Sequence, residues 1–260
     1  MTQDTTDRQR QILERARRDG RVLVDALATD FAVSVQTIRK DLNQLCDQRL
    51  LKRMHGGAML PSGVENLEYE ARRHIAAAEK DAIGRAAAAL IPNDASLFIN
   101  IGTTTEAVSQ ALLDHSGLLV VTNNINVANR MRVYPQFEVV IAGGVVRGSD
   151  GGIVGEAAAG FFSQFKVDYA VIGASALDET GALLDFDYRE VTVAQAIIAN
   201  ARQVILVADS SKFDRTAPVR IARLDQLDFF VTDTAPDAAF RALCAAAGIT
   251  LVETGEVTPH

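Results

Sequence analysis

Seven short apolar runs in the last two thirds of the chain constrain its fold most strongly. They fall at residues 96–101, 118–122, 137–142, 169–173, 203–208, 229–232 and 249–252. Helical segments are interspersed with these runs, at residues 82–90, 106–113, 191–199 and 237–246. Most runs lack strict alternation of apolar and polar residues, as is typical of strands covered on both faces. The pattern predicts an α/β domain with a largely parallel sheet flanked by helices.

Polar loops follow several of the predicted strands. In a parallel sheet, ligands bind beyond the carboxyl ends of the strands. A glycine and three threonines at the start of a helix can bind phosphate oxygens through their hydroxyls and the helix N–H groups, and a lysine after a later strand would add positive charge. Any one loop is also explained as a helix cap or turn, but four on one rim indicate an effector site. The candidate residues are Gly102, Thr103, Thr104, Thr105, Thr122, Asn123, Gly143, Gly144 and Lys212.

Two carboxylates, Asp185 and Glu190, precede the helix predicted at 191–199. They could accept hydrogen bonds from the hydroxyls of a polyol, or could take part in acid/base chemistry. Helix capping by Asp187 or Glu190 is the structural alternative. The glycine-rich loop at 151–156 precedes a further helix.

The segment 30–42 predicts the turn and second helix of a helix-turn-helix. Ile38, Leu42 and Leu45 have the spacing of one apolar helical stripe, and Ser34 is placed to cap that helix. Residues 23–31 predict the preceding short helix, although an ordinary helical hairpin remains an alternative. The candidate DNA-binding residues here are Ser34, Gln36, Thr37, Arg39 and Lys40.

A wing hairpin is predicted over residues 50–57, which contain a Gly-Gly turn. It would place Lys52, Arg53 and His55 near DNA phosphates. Residues 1–58 carry 11 Lys/Arg and 8 Asp/Glu, a net charge of +3, whereas the whole chain carries −7. Nucleic acid is therefore expected to bind at this end of the chain only. Because the excess of positive charge is small, a dimer or larger assembly would be needed to make enough phosphate contacts.

Composition restricts the class of protein further. The 260 residues, 48% of them hydrophobic, predict a globular protein. The changes of pattern along the chain divide it into a DNA-binding domain at residues 1–58, a connector at 59–77 and a sensor domain at 78–260. No apolar run is long enough to span a membrane, and the polar start predicts a cytoplasmic protein. Two distant cysteines and four scattered histidines favour buried thiols over a disulfide, and neither a metal site nor a cofactor is predicted.

Together these motifs resemble the DeoR family of bacterial transcriptional regulators over essentially the whole chain. The resemblance is carried by residues 33–42, 53–58, 102–105, 122–124, 142–144 and 209–213. It implies a body related to sugar-phosphate isomerases that binds a phosphorylated effector without turnover. It also implies a homo-oligomeric repressor, a dimer or tetramer, that its effector releases from operator DNA. One departure is Ala194-Gln195, where family members commonly have Lys-Arg.

The resemblance extends to residues 98–104, 123–129, 150–156 and 186–191, which imply glycerol 3-phosphate as the effector. A regulator that responds to a different sugar phosphate is the first alternative, since a phosphate site does not specify the carbon skeleton. An active sugar-phosphate isomerase carrying a DNA-binding head is the second.

Overall fold

The computed structural model describes residues 6–19, 21–48, 50–54, 56–59 and 69–255. The chain forms two compact units, residues 1–67 and residues 68–260. The elements of the first unit are α1 Asp7–Asp19, β1 Arg21–Leu23, α2 Val24–Asp30, α3 Val35–Asp47, β2 Lys52–Met54 and β3 Gly57–Met59. The three strands form an antiparallel sheet in the order β1-β3-β2. This unit is a winged helix-turn-helix.

The apolar stripe of α3 holds the first unit together. Ile38, Leu42 and Leu45 are fully buried against Ile12 and Leu27, which come from the two preceding helices. Burial of such side chains contributes about 1.5–3 kcal/mol each. The predicted helix and its apolar face are therefore confirmed.

Local chemistry fixes the ends of these elements. The backbone N–H of Thr37 donates to the Ser34 hydroxyl over 3.1 Å, which confirms the predicted helix cap. In the wing, Gly57 lies so close to β1 that a Cβ atom would be 2.0 Å from the Val22 carbonyl oxygen. Glycine is therefore required there for β3 to pair with β1.

Within its described residues, the second unit contains a central sheet and two small antiparallel sheets. Its strands are β4 Ser96–Ile99, β5 Leu118–Thr122, β6 Phe137–Ile141, β7 Val145–Val146, β8 Ile153–Val154, β9 Val167–Ile172, β10 Ala176–Leu177, β11 Ala182–Asp185, β12 Ala201–Val207, β13 Val219–Arg223, β14 Phe229–Thr232 and β15 Thr250–Glu253. Its helices are α4 Tyr69–His74, α5 Ala77–Ala88, α6 Thr103–Ala111, α7 Ile125–Met131, α8 Glu156–Phe162, α9 Tyr188–Ala199 and α10 Ala238–Ala246.

All seven predicted strands belong to one parallel sheet, in the order β15-β14-β12-β9-β4-β5-β6. Helices cover both of its faces. On one face, Leu97 of β4 packs in the same cluster as Ile83 of α5 and Val108 of α6. On the other, Phe98 packs in a cluster with Phe162 of α8 and Ile197 of α9. The predicted α/β class is confirmed.

The order of the strands reverses beside β4. The chain passes from β4 to β5 and β6 on one side, and then returns to place β9, β12, β14 and β15 on the other. In an open α/β sheet, the loops that leave neighbouring strands in opposite directions open a crevice at such a point. Here the crevice lies at the carboxyl ends of β4 and β9.

Candidate functional sites

A narrow cleft occupies this crevice, and the cavity that it encloses has a volume of about 30 Å³. Seven of the predicted effector-binding residues line it, namely Gly102, Thr103, Thr104, Thr105, Asp185, Glu190 and Lys212. Residues that the sequence did not single out complete the lining, namely Arg72, Ile101, Gly173, Ala174, Ser175 and Val207. We refer to it as the switch-point cleft.

The N-terminus of α6 forms one wall of the cleft. Gly102 precedes the helix with φ +148°, a backbone conformation that favours glycine. The Thr105 hydroxyl lies 2.8 Å from the carbonyl oxygens of both Asn100 and Gly102, so it holds the loop in shape. The first-turn N–H groups of α6 have no acceptor within the helix, and the helix dipole makes this end positive. This wall suits an anion.

Lys212 adds a buried positive charge. It ends a short 3₁₀ turn after β12, and its Nζ lies 4.0 Å from Asp209 Oδ2. Burial lowers the pKa of Lys212 to about 7, and the Asp209 carboxylate only partly offsets that effect. The ammonium group makes no hydrogen bond among the residues that the structure describes. An anionic ligand would give it the partner it lacks.

Arg72 of α4 also lines the cleft. One of its terminal nitrogens lies 3.5 Å from Asp150 Oδ2, and its Nε is buried without a hydrogen-bond partner in the described chain. Arginine is the side chain best shaped to bind phosphate through two parallel hydrogen bonds. It lies in the segment predicted as the connector, where no sequence pattern marks a binding residue.

A wall of oxygen-bearing groups comprises Ser175, Asp185 and Glu190. The Ser175 hydroxyl donates to Asp185 over 2.8 Å, and the Phe186 N–H donates to the other carboxylate oxygen over 2.6 Å. Burial, together with the nearby Asp185 carboxylate, raises the pKa of Glu190 to about 8, against the opposing effect of Arg147. These groups suit the hydroxyls of a small ligand. Asp187 caps α9, as one of the sequence alternatives predicted.

Arg147 holds three carboxylates behind this wall. Its guanidinium donates to Asp150 over 2.6 and 2.9 Å, to Glu190 over 2.5 Å and to Asp187 over 3.2 Å. Burial opposes its charge, but the carboxylates keep the pKa of Arg147 above its ordinary value. The cluster ties the loop after β7 to the start of α9. Nothing in the local sequence distinguishes this arginine from a solvent-exposed one.

Four predicted effector residues do not line the cleft. Thr122 and Asn123 are fully buried; the Thr122 hydroxyl donates to Ile99 O over 2.6 Å, and the Asn123 amide donates to Ile153 O over 3.0 Å. Gly143 and Gly144 follow β6, at the far edge of the sheet. The loops after β5 and β6 start progressively farther from the crevice between β4 and β9. In contrast, residues 173–175 follow β9 directly, so the strand-end rule would have found Ser175.

The candidate DNA-binding residues lie on α3 and the wing. Ser34, Gln36, Arg39 and Lys40 are exposed, and Thr37 is half-buried, with its hydroxyl 2.8 Å from that of Ser34. Lys52 belongs to β2, and the exposed Arg53 follows it in the same strand. His55 lies outside the described residues. The outer face of α3 thus carries long polar side chains on a rigid, capped helix.

Over the described parts of the chain, no group of three or more His, Cys, Asp or Glu side chains is arranged to hold a metal ion. Within the same residues, no helix is both long enough and apolar enough to cross a membrane. Cys244 is buried and Cys46 half-buried, both as free thiols.

A winged helix-turn-helix joined to an α/β unit with a polar cleft defines a DNA-binding regulator with a sensor domain. Two family models agree: a DeoR-like helix-turn-helix domain matches residues 8–64, and a DeoR C terminal sensor domain matches residues 75–234. The chain belongs to the DeoR family of regulators.

Its curated relatives carry the names of repressors. The chain is 48% identical over 231 residues to the glycerol-3-phosphate regulon repressor of Escherichia coli strain K12, covering 89% of this chain and 92% of that protein. It is 46% identical over 230 residues to the repressor of the same name from Haemophilus influenzae, covering 88% and 90%. The transcriptional repressor CsqR of E. coli is 40% identical over 222 residues, covering 85% of each chain.

Among solved structures, ribose 5-phosphate isomerase A from Neisseria gonorrhoeae resembles part of the fold. The match covers 52% of each chain at 12% identity, with a TM-score of 0.38. The repressors named above match this chain with much higher identity and coverage.

Proposed function

We propose that this protein is a transcriptional repressor that a phosphorylated polyol or sugar, first of all glycerol 3-phosphate, releases from its operator. The observation that carries the proposal is that the two sides of the switch-point cleft bear different chemical groups. The α6 N-terminus and Lys212 provide positive charge on one side, and Ser175, Asp185 and Glu190 provide oxygens on the other. In this proposal residues 1–58 bind DNA, residues 59–77 connect the two units and contribute Arg72 to the cleft, and residues 78–260 provide the rest of the effector site.

The phosphate would bind at the positive side. N–H groups at a helix N-terminus bind phosphate oxygens, and the helix dipole favours the negative charge. The nearby phosphate would also stabilise the charged form of Lys212 and so raise its pKa from about 7. Because Lys212 and the cleft are largely shielded from water, this attraction is stronger than it would be at the surface.

The polyol end would bind at the oxygen-bearing side. Asp185 is a carboxylate held by the Ser175 hydroxyl and the Phe186 N–H, so its position is fixed before a ligand arrives. A fixed carboxylate accepts hydrogen bonds from ligand hydroxyls with little loss of conformational freedom. Because the pKa of Glu190 is raised to about 8, this side chain brings less charge repulsion toward the phosphate than an ordinary carboxylate would.

DNA binding would use the exposed face of α3, with Gln36, Arg39 and Lys40 toward bases or phosphates, and the wing toward the backbone. The net charge of +3 over residues 1–58 is too small for one head to hold an operator tightly, so we propose a homo-oligomer that presents paired heads to two half-sites. A repressor of this kind acts in the cytoplasm, with the DNA.

Release requires that the effector bind the DNA-incompetent state more tightly than the DNA-competent one. A coupling free energy of about 1–3 kcal/mol would weaken operator binding roughly 5- to 150-fold. The names of the glycerol-3-phosphate regulon repressors above support glycerol 3-phosphate as the first candidate effector for this protein. An effector with a longer carbon skeleton is the alternative within the same class.

The test is a calorimetric and thermal-unfolding screen with glycerol 3-phosphate, glycerol, dihydroxyacetone phosphate, fructose 6-phosphate, ribose 5-phosphate and inorganic phosphate. One phosphorylated compound is expected to bind selectively, and at 100 times its Kd it should stabilise the protein by about 2.7 kcal/mol. The same compound should release DNA that the full-length protein has selected from a random pool. Equal binding of glycerol and glycerol 3-phosphate would overturn the phosphate assignment.

A matched pair of lysine variants locates the site. Lys212→Met removes the buried charge of the cleft and should weaken effector binding while DNA binding persists. Lys166→Met removes an exposed lysine outside the cleft and should leave effector binding unchanged. Turnover of ribose 5-phosphate in a coupled assay would instead favour the isomerase alternative.

A further inference from the structure

The structure assigns to Arg72 a second role beside effector binding: we propose that its guanidinium binds the effector's phosphate and that this contact moves α4, the element through which the sensor unit acts on the DNA-binding head. The inference rests on the proposed function above. It names the residue by which occupancy of the switch-point cleft would be communicated along the chain.

Arg72 has donors that are not used. Its Nε is buried and makes no hydrogen bond in the described part of the chain, and its approach to Asp150 is 3.5 Å, longer than a hydrogen bond. A buried donor without a partner costs free energy, so a ligand oxygen at this position would be favoured.

Asp150 does not depend on Arg72. One of its oxygens accepts from Arg147 Nε over 2.9 Å and from the Gly152 N–H over 3.1 Å, and the other accepts from Arg147 over 2.6 Å. Arg147 therefore neutralises the carboxylate whether or not Arg72 remains beside it. Arg72 can exchange its weak ion pair for a phosphate without leaving an unpaired buried charge behind.

Lys212 provides the second, independent sign of an anion site at this place. Its side chain is more than nine-tenths buried and lines the same cleft, and its one ion pair with a described residue is the 4.0 Å contact with Asp209. The N-terminus of the nine-residue helix α6 lies in the same lining. Two cations and a helix N-terminus around one cleft define a site for a phosphate monoester.

The position of α4 makes Arg72 suited to transmission. The helix spans Tyr69–His74 and is the first described element after residue 59, where the wing ends. In this proposal, a shift of α4 would be transmitted along the chain toward the DNA-binding unit. No other helix of the described chain lines the cleft and also adjoins that segment in sequence.

Polar contacts connect α4 to groups around the cleft. The Tyr69 hydroxyl donates to Glu106 of α6 over 2.7 Å. Lys80 of α5 donates to the carbonyl oxygens of Arg72 and Ile75, each over 2.5 Å, and its ammonium lies 3.9 Å from Asp209, the same carboxylate that faces Lys212. Movement of the ligand-binding groups is thus linked to movement of α4.

The experiment uses the full-length protein, glycerol 3-phosphate and the other phosphorylated compounds of the screen, and DNA selected from a random pool. Effector Kd is measured by calorimetry, and DNA affinity is measured without effector and at effector saturation. Arg72→Met should weaken effector binding about 10- to 100-fold, the size expected for a lost charge-assisted hydrogen bond. Even at saturation it should release less DNA than the wild type.

Lys212→Met should differ in the second measurement. It should weaken effector binding by a similar factor, but saturating effector should still release DNA fully because Arg72 and α4 are intact. Arg85→Met, which removes an exposed arginine of α5, should change neither quantity. Tyr69→Phe, which removes the hydroxyl that bonds α4 to Glu106 of α6 and to Asn126 of α7, should keep effector binding and lower the extent of release.

Arg72→Lys keeps the charge but loses the paired donors. It should recover part of the effector affinity. If Arg72→Met does not fold, the same measurements are made on Arg72→Lys. The inference is overturned if both Arg72 variants bind effector within threefold of wild type, or if they release DNA as completely. If the wild type binds none of the phosphorylated compounds, the proposed function fails and this inference fails with it.

Discussion

The carboxylate of Asp209 lies 4.0 Å from the ammonium group of Lys212, and both side chains are almost completely buried. The same Asp209 oxygen lies 3.9 Å from the ammonium of Lys80, and no hydrogen bond reaches it from the described residues. One carboxylate thus balances two buried lysines. Burial lowers the pKa of both lysines, and Asp209 counteracts part of that effect.

Replacing Asp209 with asparagine should destabilise the protein by about 3 kcal/mol at pH 7, the size expected when a buried ion pair loses one partner. The loss should shrink above pH 7, because the Lys212 pKa of about 7 is far below its unfolded value and the neutral amine needs no counter-charge. Urea unfolding at pH 6.5, 7.5 and 9 measures this. Asp214→Asn, at an exposed position two residues beyond Lys212, is the control and should have little effect.

Effector affinity should decrease as the pH rises from about 7 to 9. Lys212 binds a phosphate in its charged form, and its pKa in the free protein is about 7. Above that pH, binding must take up a proton, so affinity falls by up to tenfold per pH unit. Glu190 acts in the same direction, since its pKa of about 8 means that it gains negative charge over this range.

Calorimetry in buffers of different ionisation enthalpy measures the proton uptake directly. Lys212→Met should remove the decrease near pH 7, and Glu190→Gln should remove the part near pH 8. A wild-type affinity that is constant from pH 6.5 to 9 would contradict the placement of the phosphate beside Lys212.

Arg39→Ala should weaken binding to selected DNA by about 1–3 kcal/mol if Arg39 contacts a base. If Arg39 contacts a phosphate instead, the slope of the logarithm of the DNA-binding constant against the logarithm of salt concentration should fall by about 1. The side chain is exposed on α3, so its removal leaves the core of the first unit intact. Stabilisation by effector should be unchanged. Arg132→Ala, at an exposed site in the second unit, is the control, and loss of both activities in Arg39→Ala would indicate misfolding instead.

The sequence was sufficient for the sheet and for the helix-turn-helix. Strands buried on both faces, such as β4 and β12, are continuous apolar runs, and the spacing of Ile38, Leu42 and Leu45 is that of one helical face. In contrast, β10, the partner of β11, contains only two residues, too few to form a readable pattern. The two strands form an antiparallel sheet with β13, which the parallel pattern did not predict.

The cleft was predicted only in part because sequence order does not give strand order. The loops after β5 and β6 follow β4 along the chain, so Asn123 and Gly143 were grouped with Gly102. In the fold, β9 pairs with β4 on the side away from β5, which brings Ser175 into the cleft. Arg72 and Arg147 reach the site or its support from distant segments, and no local pattern marks such contacts. Gln195, in place of a family arginine, donates to the Arg220 and Ile221 carbonyls of β13.

The same Gly-to-Ala substitution should have opposite effects at two helical glycines. Gly84 of α5 is buried where α5 and α6 meet, and a Cβ there would lie 2.7 Å from the Ala107 carbonyl oxygen. Gly84→Ala should therefore separate the helices and destabilise the protein by about 1–3 kcal/mol. Gly160 of α8 is exposed and a Cβ there would meet nothing within 4 Å, so Gly160→Ala should stabilise by about 0.5–1 kcal/mol.

Chemical unfolding measures the free energy of unfolding of both variants. Measuring effector binding to the same variants tests whether the change also reaches the cleft. The N-terminus of α6 lines the cleft, so displacement of that helix by Gly84→Ala should also weaken effector binding, whereas Gly160→Ala should not change it. If both substitutions stabilised the protein, the close packing of α5 on α6 would be wrong. If Gly84→Ala lowered stability but left effector affinity unchanged, the α6 N-terminus would have no part in binding the phosphate.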